Sequence, residues 1–438
     1  MLRFKGFISI FGVIFALLVP PFQSPDEPNH FLRAWQVSEG HFFPEKTENR
    51  LGGMLPESLS QVCDSFSFLK NNPSARLKFS TLRHALNIPL QPEKRRFTDF
   101  ANTAIYAPTA YIPQAAAIAI LRPFGATPLQ LLYAARMANL LAWLALVAAA
   151  LRLLPFLQTT LSAIALLPAT LCIAASANAD VWNNGLCWWL IAALLSDPVT
   201  GHFWKKLAAG IIVAANKLIA LPLVLLGFFS NMHRRQVLII AAAAMLAAIA
   251  WSQLAQAWFL PYEAYNPAFR DTQTLNSGVD PARQLAFIAE NPIFFVKTAL
   301  QSLFRVLPSM AAHFVGKFGW EKNYLPSGWI GALWVMLAAL VLSEKNPLTQ
   351  RQRWGMAGVA ALYFIGFAVT MYALWNAVGA AQIDNWQGRY FLAIAPVVVL
   401  AVATNVFEKW KPELERGATL LLFMSNAAMV FSVWERYW

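Results

Sequence analysis

An unbroken apolar run from Phe7 to Val19 stops at Pro20-Pro21, and similar runs recur along the chain at about 130–152, 157–177, 183–196, 207–229, 236–258, 328–343, 354–376, 390–406 and 418–434. Many of them have the length expected of bilayer-spanning helices. Two long stretches, about 40–103 and 260–292, are polar instead. In residues 29–39, Phe31, Leu32, Trp35 and Val37 sit among polar residues, the pattern of a short helix lying in the membrane interface. Lys297 and Arg305 interrupt an apolar pattern in the same way and predict a second interfacial helix. The run 207–229 holds Asn216-Lys217 and Pro222 at its centre, which predicts two short helices meeting inside the membrane.

Charge then sets topology. The chain is 58% apolar and 13% charged, with a net charge of +12. Lys and Arg gather in short loops between apolar runs, so this charge orients the protein in the membrane and does not point to nucleic acid. Arg3 and Lys5 place the N-terminus in the cytoplasm, and Asp26 then emerges outside. If Tyr106 to Leu121 crossed fully, Lys205-Lys206 would fall on the outer side. That segment, with Pro108, Pro113 and Gln114, therefore reads as a half-buried outer-surface element. On this parity Asp180 shares a face with Asp26. Residues 20–128 form a first outer loop and 260–325 a second, within a single domain, 1–438. The Pro-Pro exit lacks a small-residue cleavage pattern, so residues 1–19 are expected to remain as an anchor. Cys63, Cys172 and Cys187 are too scattered for a disulfide framework or a thiolate metal site.

Each candidate residue has a structural reading beside a functional one. Asp26-Glu27 could cap the helix that Pro28 begins, and equally could serve as a general base or hold a divalent cation at the membrane surface. His30 follows one helical turn later and could join either task. Asp180, in a Ser/Ala/Asn-rich knot, is a solvated loop residue or the second acidic arm of the same site. Lys217 either snorkels or faces a cavity, with an anionic headgroup as partner. Arg389 is an interface anchor beside Tyr390, or a fork for phosphate oxygens. Arg136, inside its span, needs a carboxylate or a lipid phosphate. Trp320 packs at the interface or stacks against a sugar.

Several pieces resemble one known family in order along the chain: Pro25-Asp26-Glu27…His30-Phe-Leu-Arg33-Ala, Tyr106-Ala-Pro108…Tyr111-Ile-Pro-Gln114, Arg136…Asn139-Leu, Asp180 after its Ser/Ala/Asn run, Gly316…Gly319-Trp320…Leu325-Pro326, and Gln387-Gly388-Arg389-Tyr390-Phe391. Together they resemble the bacterial membrane family known as domain of unknown function 2142. That family is similar to the C-type membrane glycosyltransferases (GT-C), which take a sugar from a polyprenyl-phosphate carrier on the extracytoplasmic face. The resemblance implies that Asp26, with Glu27, is the first outer acidic motif, Asp180 the second, and Lys217 the lysine of the broken-helix pair. GT-C proteins often end in a soluble domain, whereas only short loops follow residue 325 here.

The expectation is an all-α, polytopic, GT-C-like integral membrane protein of the bacterial inner membrane. It has about ten or eleven membrane helices plus outer juxtamembrane helices, and its site faces the periplasm or exterior. It would move a sugar, with inversion, from a polyprenyl-phosphate donor to a cell-envelope or lipid-linked glycan. Asp26, Glu27 and Asp180 would be catalytic; His30, Arg136, Lys217, Trp320, Arg389 and Tyr390 would bind substrate. A divalent cation (Mg or Mn) on Asp26, Glu27 and Asp180 stays open. Alternatives are a transporter or flippase of lipid-linked saccharide, a glycan polymerase, and a structural subunit of an envelope-synthesis complex.

Overall fold

The computed structural model describes residues 2–196, 203–273, 275–320 and 323–438. Residues 197–202, the side chains of Arg3 and Lys5, and Glu321 lie outside the described residues. The chain is predominantly helical, and four helices are long and apolar enough to cross a membrane: Pro128–Leu153, Arg234–Ala264, Gln350–Trp375 and Glu408–Tyr437. Leu2–Leu18, Ala179–Leu195, Phe203–Asn216 and Ser327–Val341 are shorter apolar helices packed among them.

Prolines break several runs that read as continuous. The run 157–177 divides into Gln158–Ala165 and Pro168–Ala174, because Pro168 cannot supply the amide that would continue the first helix. The run 390–406 likewise divides into a 3₁₀ turn, Gly388–Phe391, and an eight-residue helix, Ala395–Val402, that starts with Pro396 in its first turn. The expected break in 207–229 is present. Phe203–Asn216 ends at Lys217, which is extended (φ −148°, ψ 105°), and Leu218–Phe229 returns as a 3₁₀ helix. The element at 106–121 is a 3₁₀ turn, Pro108–Tyr111, and the ten-residue helix Ile112–Leu121, about 15 Å long at helical rise. The second expected interfacial helix is longer than its pattern suggested: Pro292–Gly316, 25 residues, with Ile293 and Phe304 on its exposed side.

The stretch expected as polar loop contains the sheet. Strands β1 (Glu45–Thr47), β2 (Arg50–Pro56) and β3 (Arg95–Asp99) pair antiparallel in that order. Glu48 and Asn49 both take positive φ, the two-residue turn that suits a tight hairpin. Gly52 is required where β2 meets β3, since a Cβ there would lie 1.9 Å from the Thr98 carbonyl oxygen. The second loop docks on this sheet: the Tyr265 hydroxyl donates to Asp99 (2.5 Å) and receives the Leu51 amide (3.0 Å).

The two ends of the bundle differ in chemistry. One end gathers the chain near 158–160, 229, 344–353 and 400–411. There Glu344 accepts the Thr159 and Thr160 amides, and Gln352 donates to the Phe229 carbonyl. Lys345, Arg351, Arg353, Lys409, Lys411 and Arg416 lie here, in a loop and in the helix ends beside it. At the other end lie the sheet, the short helix Glu27–Ser38, the 176–180 knot, the break at Lys217 and the 385–391 turn.

Candidate functional site

At the sheet end a cavity of about 240 Å³ is lined by Asp26, His30, Tyr106, Asp180, Trp320, Trp375, Arg389 and Tyr390, with Asn102 and Thr103 at its side. Residues far apart in sequence meet here.

Asp26 sits at the N-cap position of helix Glu27–Ser38, yet its side chain makes no capping bond. Its backbone is left-handed (φ 61°, ψ 6°), a conformation that Asp tolerates better than most residues, and this turns the carboxylate into the cavity. There Arg389 Nη2 donates to Oδ2 at 3.2 Å and Asn102 Nδ2 reaches Oδ1 at 3.4 Å. The side chain keeps 21% of its surface exposed.

Asp180 opens helix Ala179–Leu195, its amide held by the Asn178 side chain at 2.8 Å. Its carboxylate is almost enclosed and bears directly on the Lys217 ammonium. Lys217 reaches it from the break, and its ammonium also stands over the Tyr390 ring at 5.6 Å. Lys217 does not itself line the cavity: it is held behind the wall by Asp180, a carboxylate of the protein and not a headgroup.

His30 is 3% exposed and pairs through Nδ1 with the Tyr111 hydroxyl at 2.9 Å. Burial lowers its pKa from the ordinary 6.5 to about 4, with Asp26 and Asp180 pulling the other way and Arg389 and Lys217 adding to the fall. His30 is therefore neutral near pH 7. In the unfolded chain it takes up its proton at higher pH than in the fold, so stability rises with pH across this window. The contribution is present above pH 6.5 and is lost as pH falls toward 4, to a total of about 3 kcal/mol. Melting temperatures in detergent should drop over that range for wild type and drop less for His30→Gln.

Glu27 and Arg136 do not face the cavity, which corrects the expectation that they act on substrate. Both side chains are 0% exposed. Arg136 donates through Nε and Nη2 to the two Glu27 oxygens at 2.8 and 2.6 Å. Its remaining N–H groups go to the carbonyls of Ala16, Val19 and Pro20, so all five are used. Glu27 also receives the Ala177 amide at 3.0 Å. This unit ties the end of the first helix, the start of helix Glu27–Ser38, helix Pro128–Leu153 and the 176–180 knot together. Neighbouring motif residues do similar work: Gln114 donates to the Ala177 carbonyl, Asn139 to those of Ser176 and Asn178, and Arg33 to those of Phe42 and Tyr106.

Arg389 and Tyr390 lie on the 3₁₀ turn Gly388–Phe391. Its backbone is held by Tyr363, which donates to the Tyr390 carbonyl at 2.7 Å, and by Trp188, which donates to that of Leu392 at 2.7 Å. Gly388 lets the turn press against helix Pro292–Gly316: a Cβ would lie 2.4 Å from the Met310 carbonyl oxygen and 2.5 Å from the Phe314 nitrogen. Trp320 lines the cavity, but its indole N–H is spent on the Phe22 carbonyl and Lys70 stands over its ring at 4.2 Å. A sugar would have to displace Lys70 to stack on that face.

The donor set does not suit a divalent cation. Glu27 is enclosed by Arg136, while Asp26 and Asp180 each carry a cationic side chain of the protein. Among the described residues no group of three or more His, Cys, Asp or Glu side chains is placed to hold a metal. The arrangement instead gives two carboxylate–cation pairs, with a neutral histidine on the same cavity wall. Reading the sequence did not single out Asn102, Thr103, Trp375, His313 or Lys317: Asn102 and Thr103 fall in the 40–103 stretch taken as loop, Trp375 in the expected span 354–376, and His313 and Lys317 in the second outer loop. For His313 and Lys317 a signal existed: a histidine and a lysine at i, i+4 beside an expected outer turn.

No curated protein and no solved structure matches the chain. The sequence profile of one family, described as predicted membrane protein (DUF2142), matches residues 8–398. The chain belongs to this family of membrane proteins, domain of unknown function 2142.

Proposed function

We propose that the protein is a membrane glycosyltransferase of GT-C type, taking a sugar from a polyprenyl-phosphate donor and passing it to a cell-envelope or lipid-linked glycan on the extracytoplasmic side of the bacterial inner membrane. About ten or eleven membrane segments would carry the site. The observation that supports this best is the pairing of Asp26 with Arg389 on one cavity wall: an accessible carboxylate beside a guanidinium that still has N–H groups to give. Base and anion stabiliser are the two groups that displacement at a phosphate-bearing anomeric carbon needs.

In the proposed reaction the acceptor oxygen attacks the anomeric carbon, and its proton passes to Asp26. The bond from that carbon to the phosphate oxygen breaks, and its electron pair leaves with the lipid phosphate. The anomeric configuration inverts. Arg389 compensates the charge gained by the phosphate. Because a phosphate leaves without protonation, no general acid is required, which agrees with a neutral His30. Asp180, locked to Lys217, positions that lysine and Tyr390 and is not the base. His30 and Tyr390 would contact the sugar or acceptor hydroxyls.

The test is transfer in proteoliposomes from radiolabelled polyprenyl-phosphate sugars. A glycosylated product with release of lipid phosphate is the expected result. Saccharide movement across the bilayer without bond cleavage would replace this reading with that of a transporter, a class that the break at Lys217 also suits.

A further inference from the structure

A second, smaller cavity adjoins the first. It has about 40 Å³ of free space, room for a few water-sized groups, and shares Pro25, Lys317, Gln387 and Arg389 with its neighbour. Arg389 thus stands between the two. On the near side its Nη2 holds Asp26. Its Nε and Nη1 are buried and have no hydrogen-bond partner among the described residues. Buried donors of a charged group left unpaired are costly, so such atoms mark a place where a ligand completes the site.

Two more groups converge on the smaller cavity. His313 and Lys317 lie one turn apart at the end of helix Pro292–Gly316, and the Lys317 ammonium lies 3.1 Å from His313 Nε2. An ammonium has no lone pair, so Nε2 accepts and the imidazole hydrogen sits on Nδ1. That Nδ1–H is also buried without a partner among the described residues. The His313 ring is held in place by stacking on Tyr324, with centroids 5.3 Å apart and planes 24° from parallel. Gly388 keeps the Arg389 turn pressed against this part of the helix, so the distance between the arginine and the histidine is set by backbone contact. Ala169, Ile173, Phe314, Phe318 and Leu392 give the cavity an apolar side, while Ser24, Thr170 and Gln387 add polar groups to its wall.

We infer that this smaller cavity is a phosphate site, in which Arg389, His313 and Lys317 bind the oxygens of a phosphate ester and the apolar wall takes the hydrocarbon next to it. Three N–H donors from two directions and an ammonium suit a tetrahedral anion better than a planar carboxylate. The site is separate from the acidic cavity, so phosphate and carboxylates need not share a space, and Arg389 links them. A phosphate that engages Nε and Nη1 competes for the guanidinium that Asp26 holds, so binding there loosens the Asp26 pair. The assignment of the site rests on these donors alone. Its use as the seat of a leaving lipid phosphate rests on the transferase reading.

The experiment is equilibrium binding to the purified full-length protein in neutral detergent, with radiolabelled farnesyl phosphate and inorganic phosphate as probes. Wild type should bind farnesyl phosphate. His313→Ala and Lys317→Gln should each weaken binding at least tenfold, while Asp26→Asn should leave it unchanged or tighten it. Binding of both probes with the same dependence on His313 supports a site for free phosphate; binding of farnesyl phosphate alone supports the lipid source. Binding that neither variant alters, or no binding of either probe, overturns the site. Should His313→Ala fail to fold, Lys317→Gln carries the same comparison. Intact binding with no sugar transfer from any donor would keep the phosphate site and remove the glycosyltransferase.

Discussion

Asp26→Asn should lower sugar transfer by about 10²- to 10⁴-fold, the usual contribution of a positioned general base, with the protein still folded and present at wild-type levels. The substitution keeps size and shape, and asparagine can still accept from Arg389, so the cavity wall stays in place. What is lost is a carboxylate oxygen, the group proposed to receive the acceptor proton. The contrast with Asp180→Asn makes the assignment specific. Asp180 is 6% exposed and closed off by Lys217, so its loss uncovers an ammonium and should disturb folding or substrate binding first. Asp26 has 21% of its side chain open to the cavity and should act on the chemical step. The measurement is initial rate in proteoliposomes at matched protein amounts, with melting temperature alongside. Full activity of Asp26→Asn at normal expression would remove it as the base.

The second large effect falls on stability. Glu27→Gln leaves the Arg136 guanidinium charged and buried, and breaking a buried pair in this way costs about 3–5 kcal/mol. We expect a sharply lower melting temperature and a poor yield of folded protein, with no residual catalytic phenotype to separate from it. Replacing both partners, as in Glu27→Leu with Arg136→Met, should recover only part of the loss. It removes the stranded charge but leaves the Ala16, Val19 and Pro20 carbonyls without their donor. A Glu27→Gln protein that melts like wild type and lacks only turnover would return Glu27 to the chemistry.

Much of the site could be read in the sequence because the membrane leaves few options for charge. Counting basic loops placed Asp26 and Asp180 on one face, and the structure brings both into one cavity. The Asn-Lys…Pro pattern located the break at Lys217, and a buried Arg136 demanded a carboxylate or phosphate. The partners were not legible, because spacing within one run says nothing of which run lies beside it. Lys217 found Asp180, and Arg136 found Glu27 rather than substrate. The sheet over 45–99 was hidden for another reason: β1 is three residues long, and β2 and β3 are separated by some forty residues, so no local alternation announces their pairing. The helix breaks at Pro168 and Pro396 were missed where hydropathy continued unbroken through a residue that ends a helix.

The Arg136 unit also constrains how the protein can be made. A chain made only as far as residue 127 holds Glu27 and the three carbonyls but has nothing to fill them, and a guanidinium entering lipid by itself costs about 2.5–3.5 kcal/mol. The first helix and the Pro128–Leu153 helix are therefore expected to settle as a pair, with the intervening hundred residues closed around the contact between them. Assembly of the four segments that this unit joins is expected to wait on one arginine reaching its socket.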